Sequence, residues 1–117
     1  MMISSIFSVA AALLAAGQVR NAAVQVRDNV TTTQEAFTTC LHRFVQTSVE
    51  GRKTAEAFNT ELPQQCTAQE QAYRAAMIRR DTSARISRTD AEQSANEEVA
   101  YARQNTTETF TDASRPR

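Results

Sequence analysis

Apolar side chains recur every three or four positions over most of this chain, the spacing of one face of a helix. Phe37, Cys40, Leu41, Phe44, Val45 and Ser48 form the first such face. Thr32 and Glu35 stand before it at capping-box spacing, which predicts a helix start near Thr33. The run fades at Val49, and Gly51 is the expected stop. Thr54 then offers an N-cap, with Phe58 and Leu62 one turn apart. Pro63 interrupts the pattern, because proline lacks the N–H and disfavours helix at the preceding residue. A short helix over 55–61 and a long one over 63–87 follow, the latter with Cys66, Tyr73, Met77 and Ala84 as its core face and Ala76 beside it. In "SRTDAEQ", Thr89 and Glu92 predict a second capping box, with Asp90 in the first turn. Ala91, Ala95, Val99, Ala102, Thr106 and Phe110 continue as a narrow stripe to about residue 111, and residues 112–117 read as a fraying tail.

The start of the chain follows another pattern. "MMISSIFSVAAALLAAGQ" holds no charged side chain and is apolar from Ile6 to Leu14. Small residues follow, with Ala15 and Gly17 at the −3 and −1 positions of a cut after Gly17. As a helix, Ile3 to Gly17 would span only about 22 Å, short of a roughly 30 Å hydrocarbon core. A signal peptide over residues 1–17 is therefore expected, although no Lys or Arg precedes the apolar run and Arg20 and Arg27 follow it. The alternatives are an uncleaved anchor and a buried N-terminal helix. Gln18 stands where a lipoprotein needs its cysteine, which excludes that modification. Residues 18–32, polar with scattered Val and Ala, are expected to form a loose lead-in to a helical domain over 33–111.

Composition supports the helical reading. The 117 residues include only two Gly and two Pro, too few for the turns of a β-sandwich. The expected fold is all-α: an antiparallel helical hairpin stapled by a disulfide, with a third helix. Thirteen basic and thirteen acidic residues cancel, so no global field draws the chain to nucleic acid.

Cys40 and Cys66 are the only cysteines, 26 residues apart, and the predicted turn at 49–54 lies midway between them. Antiparallel helices joined there bring residues equidistant from the turn side by side. Both cysteines also fall on apolar stripes, so a Cys40–Cys66 bridge is expected, in keeping with an exported chain. His42, the only histidine, sits two residues from Cys40. Positions i and i+2 on a helix point about 200° apart, so the pair cannot share a metal or act as nucleophile and base. His42 is expected on the solvated surface.

Catalytic signatures are sparse. The chain has no HExxH, no GxSxG and no cluster of glycines for a phosphate loop. No metal or other cofactor is expected. One charge feature remains: Arg74, Arg79, Arg80, Arg85 and Arg88 face only Asp81 in their stretch, and Asp90, Glu92, Glu97 and Glu98 follow without a basic residue. The two stretches could pair across a turn and suit the helix dipoles. Alternatively, the arginines form a patch for an anionic partner.

The segments "CLHRFVQ", "AYRAAMI" and "SRTDAEQ", with Phe58 and Leu62 between them, resemble small exported helical proteins of alphaproteobacteria over roughly residues 37–110. The resemblance implies export and helices; it supplies no activity and no site residues. The expected function is a secreted or periplasmic, non-enzymatic binding or structural module, with a periplasmic stress or chaperone-like protein as the alternative. An enzyme that borrows a partner's residues ranks below both. Its partner would be an envelope protein or anionic envelope component, and a membrane would be met only through an uncleaved signal segment.

Overall fold

A computed structural model describes residues 12–116, with side chains from residue 29 onward. Four helices make up the fold: α1 (Ala12–Glu50), α2 (Ala55–Glu61), α3 (Thr67–Ser83) and α4 (Arg88–Ala113), with a 3₁₀ turn at Leu62–Gln64 between α2 and α3. No strand occurs among the described residues. The all-α expectation is met. Most of the expected signal segment, residues 1–11, lies outside the described residues.

The first helix corrects the expected boundary. It runs unbroken through residues 18–32, so there is no loose lead-in, and Thr32 and Glu35 lie inside the helix rather than at its start. A capping box needs a break before it, and nothing between Gln18 and Glu50 supplies one: the stretch has neither Pro nor Gly. The Thr33 hydroxyl instead donates to the Asn29 carbonyl one turn back, at 2.7 Å. Val30, upstream of the expected domain limit, is already in the core at 9% exposure.

The end of α1 falls at Glu50, directly before Gly51 as expected, but the left-handed residue of the stop lies one further on. Gly51 does not take the left-handed conformation; Arg52 does, at φ 52°. Lys53 N–H donates to Ser48 O at 2.9 Å and Arg52 N–H to Val49 O at 3.1 Å, the two bonds of a Schellman stop. Gly51 serves another purpose, since a Cβ there would come within 3.2 Å of the Thr47 carbonyl oxygen.

Thr54 caps α2 as expected, accepting from Ala57 N–H at 3.1 Å. Pro63 does break the helix, but the interruption is longer than a kink. After the 3₁₀ turn, Gln65 is extended and Cys66 is left-handed at φ 60°, so α3 starts only at Thr67. At its other end α3 stops at Ser83 instead of residue 87. Arg85 turns left-handed at φ 66°, and Ile86 N–H donates to Asp81 O at 3.0 Å in a second Schellman stop. Ala84, expected in the core, is therefore exposed. The cap of α4 moves upstream for the same reason: Ser87, not Thr89, accepts from Asp90 N–H at 3.1 Å. Glu92 pairs with Arg88 at 2.9 Å rather than closing a capping box.

A left-handed non-glycine residue costs about 1–2 kcal/mol. Arg85→Gly should accordingly stabilise the protein by roughly 0.5–1 kcal/mol, net of the added freedom of the unfolded chain. Urea unfolding at unchanged m-value would show it as a higher midpoint.

The helices pack as two antiparallel pairs. Phe37 lies 6.1 Å from Tyr73 between ring centroids and Cys40 is joined to Cys66, so α1 and α3 run in opposite directions. Glu70 meets Arg103 and Arg74 meets Asn96, so α3 and α4 do too. α1 and α4 consequently run parallel. Small residues on α4, Ala91 and Ala95, are buried at 0% and 1% exposure, as are the larger Tyr73 and Met77 of α3 at 5% and 2%. Below the bundle, α2 inserts Phe58 between Phe44 and Phe110, at centroid distances of 4.9 and 4.0 Å. Phe58 is fully buried, and burial of such a ring contributes roughly 1.5–3 kcal/mol.

The expected staple is present: the Cys40 and Cys66 sulfurs are 2.03 Å apart and the Cα atoms 5.9 Å apart. Such a disulfide is compatible with an oxidising compartment. No helix among the described residues is long and apolar enough to cross a membrane.

Candidate functional site: an arginine-lined groove

Helix α3 turns one face away from the core. Gln71, Arg74, Ala75, Ile78, Arg79 and Thr82 recur at helical spacing along it, and Arg88 joins them from the first turn of α4. Together they line a groove of about 420 Å³. The short turn at 84–87 folds α4 back along α3 and so brings Arg88 to this face. Ile78 is partly buried against the core and lends the groove an apolar strip.

Of the five arginines singled out from the sequence, three line this groove and two do not. Arg80, one residue on from Arg79, points about 100° away and holds the Asp81 carboxylate at 3.0 Å. Arg85 is the left-handed residue of the turn and stays exposed. The expected pairing between the arginine and carboxylate stretches is mostly absent. Arg88 meets Glu92 within its own helix, and Arg74 reaches across to the Asn96 amide oxygen, not to a carboxylate. Arg79 makes no ion pair among the described residues. The early stop of α3 explains this, since it changes which faces of the two helices oppose each other.

Charge in the groove is not balanced. No Asp or Glu lines it. Arg74 lies 3.6 Å from Glu70, but that same carboxylate is held more closely by Arg103, at 2.8 Å. One glutamate shared by two arginines leaves a positive charge over, and Arg79 adds another. The electrostatic character is therefore local, in a chain whose net charge is zero.

Arg103 is the residue that periodicity did not single out. Its side chain is only 15% exposed. It donates to Glu70 through Nε at 3.0 Å and Nη2 at 2.8 Å, to Leu62 O at 2.6 Å and to Gln65 O at 3.0 Å. It also stands 5.6 Å above the Phe37 ring. The clamp holds the irregular turn that precedes α3, and through Glu70 it adjoins the groove. The signal was its lack of local partners: Val99 and Thr107, one turn away on either side, cannot neutralise it. An arginine flanking an apolar stripe without an i±4 carboxylate must look for one in the tertiary structure.

His42 is exposed, as expected, and Cys40 is committed to the disulfide, so the two share no chemistry. Among the described residues no three His, Cys, Asp or Glu side chains converge as metal ligands. The chain matches no family model, no curated protein and no solved structure.

Proposed function

We propose that the protein is an exported, non-enzymatic binding module whose groove of Arg74, Arg79 and Arg88 takes an anionic component of the cell envelope. The observation that carries this reading is the unbalanced charge of that groove. Guanidinium groups suit phosphate and carboxylate oxygens because their donors form a rigid fork. Ile78 and Ala75 between them favour an anion attached to something apolar, as in a phospholipid. Export is supported by the apolar N-terminal stretch and by the disulfide, which suits a periplasmic or extracellular setting.

The test is co-sedimentation of the oxidised protein with vesicles rich in phosphatidylglycerol, against phosphatidylcholine vesicles. Each groove arginine should contribute about fivefold, or 1 kcal/mol, to the anionic preference. Arg79→Ala together with Arg88→Ala should thus lower it roughly 25-fold. Added salt should weaken it further. Equal binding to both vesicle types would overturn the reading. Suppression of aggregation of unrelated clients without any anion preference would favour the chaperone-like alternative.

A further inference from the structure

A second opening lies on another side of the bundle, between the parallel helices α1 and α4, with a volume of about 320 Å³. Its floor is apolar, from Phe37, Leu41 and Val45 of α1, with Tyr73 of α3 reaching in beneath. Its walls are two polar rows at helical spacing. α1 supplies Gln34, Thr38 and His42; α4 supplies Glu98, Tyr101 and Asn105. Three things set this cleft apart from ordinary surface.

Its polar side chains are uncommitted. Among the described residues, Gln34, His42, Glu98 and Asn105 hold no side-chain hydrogen bond or ion pair, although α4 pairs Gln93 with Glu97 and Gln104 with Glu108 outside the cleft. Tyr101 is 64% exposed and is one of two large hydrophobic residues left open among the described ones. Burial does not account for it, yet its ring stands at the cleft wall. Finally, the charge is opposite to that of the arginine groove. Glu98 is the one formally charged side chain of the lining, and no Lys or Arg accompanies it. Its field reaches the floor: the Tyr73 phenol is held above its usual range first by burial and then by Glu98, with Arg80 opposing.

A carboxylate one turn from an open tyrosine ring, with a second phenol below, is an arrangement that holds an ammonium group by charge and by cation–π attraction. One carboxylate matches one ammonium. The remaining lining offers amide, hydroxyl and imidazole groups, which suit hydroxyl groups. The volume is at the small end of ligand clefts. We infer that the α1–α4 cleft binds an amino sugar with a free ammonium group, its amine between Glu98 and Tyr101 and its hydroxyls along Gln34, Thr38 and Asn105. This site is independent of the arginine groove, and its ligand is of the opposite charge.

Calorimetric titration of the oxidised full chain with glucosamine tests it, with N-acetylglucosamine and spermidine as comparisons. The free amino sugar should bind saturably. The acetylated sugar, which keeps the hydroxyls and loses the charge, should bind about tenfold more weakly, and so should spermidine, which keeps the charge and loses the hydroxyls. Glu98→Gln should abolish the preference for the free amine, whereas Glu97→Gln, the same charge change one residue outside the cleft, should leave it. Tyr101→Ala should weaken the amino sugar about fivefold, and Tyr101→Phe, which keeps the ring, should not. Equal affinity for free and acetylated sugars, tighter binding of spermidine, the same loss from Glu97→Gln, or no saturable binding would each overturn the inference. None of these outcomes bears on the anionic vesicles.

Discussion

Arg103→Met should lower the stability of the oxidised protein by about 3 kcal/mol, read as a drop of roughly 15 °C in melting temperature. Four donor contacts disappear together, to Glu70 twice and to the Leu62 and Gln65 carbonyls. The cost lies less in the lost bonds than in the groups left behind. Glu70 has a side chain only 19% exposed and keeps just the long contact to Arg74. An ionised carboxylate stranded at that depth is the expensive part. Removing both partners should therefore hurt less than removing one: Arg103→Met with Glu70→Met is expected to recover about 1–2 kcal/mol of the loss. Arg103→Lys should recover less than half, because a point charge on a flexible stem cannot span one carboxylate and two carbonyls as a planar fork does. A double-mutant cycle by urea unfolding measures these terms. Additive losses from Arg103 and Glu70 would show that the clamp is not a unit.

Cys40→Ser should cost about 3 kcal/mol under oxidising conditions, the chain-entropy value for a loop of about 25 residues. That is a large share of the 5–15 kcal/mol typical of such domains. The structure adds a reason beyond loop closure. Cys66 is the left-handed residue that launches α3, and the bond to Cys40 pins it against α1. Arg103 grips the same turn from the other side, at residues 62 and 65. The two ties act on one irregular segment, so Cys40→Ser and Arg103→Met should not be additive. Once one tie is gone, the turn can relax and the second holds less. Hydrogen exchange should then show faster opening over residues 62–67 and the adjoining α2 than in the rest of the bundle. An unchanged melting temperature for Cys40→Ser would mean that Arg103 alone suffices.

The mistaken boundaries have a common origin. Thr32 with Glu35 and Thr89 with Glu92 are proper local signals for a helix start, and neither marks one; Gly51 does follow the last residue of α1 but leaves the left-handed turn to Arg52. A capping box is favourable only where the preceding residues leave the helix, and α1 has no reason to break at Thr32. The real stops at Arg52 and Arg85 use left-handed residues that local preference disfavours. What selects them is how far each helix can run before the next must fold back onto the core. Sequence signals of about 1 kcal/mol are readily outweighed by burial of residues such as Phe58 and Ala91, both at 0% exposure.

The same distinction applies to the candidate sites. Five arginines are visible in the sequence, but the choice of Arg74, Arg79 and Arg88 depends on where α3 ends and α4 turns back. The α1–α4 cleft was not legible at all, because its two walls are more than fifty residues apart and neither row has a local pattern of its own.

By itself the sequence determined the helical class, most of the core residues and the pairing of Cys40 with Cys66. These depend on periodicity and on distance from a turn, which are properties of short stretches of chain. Only the tertiary structure decided where the helices stop, that Arg103 clamps the turn before α3, and that an arginine groove and an uncommitted polar cleft stand open at the surface. Those features depend on groups far apart in the chain meeting at a few ångströms, and no local preference encodes such a meeting.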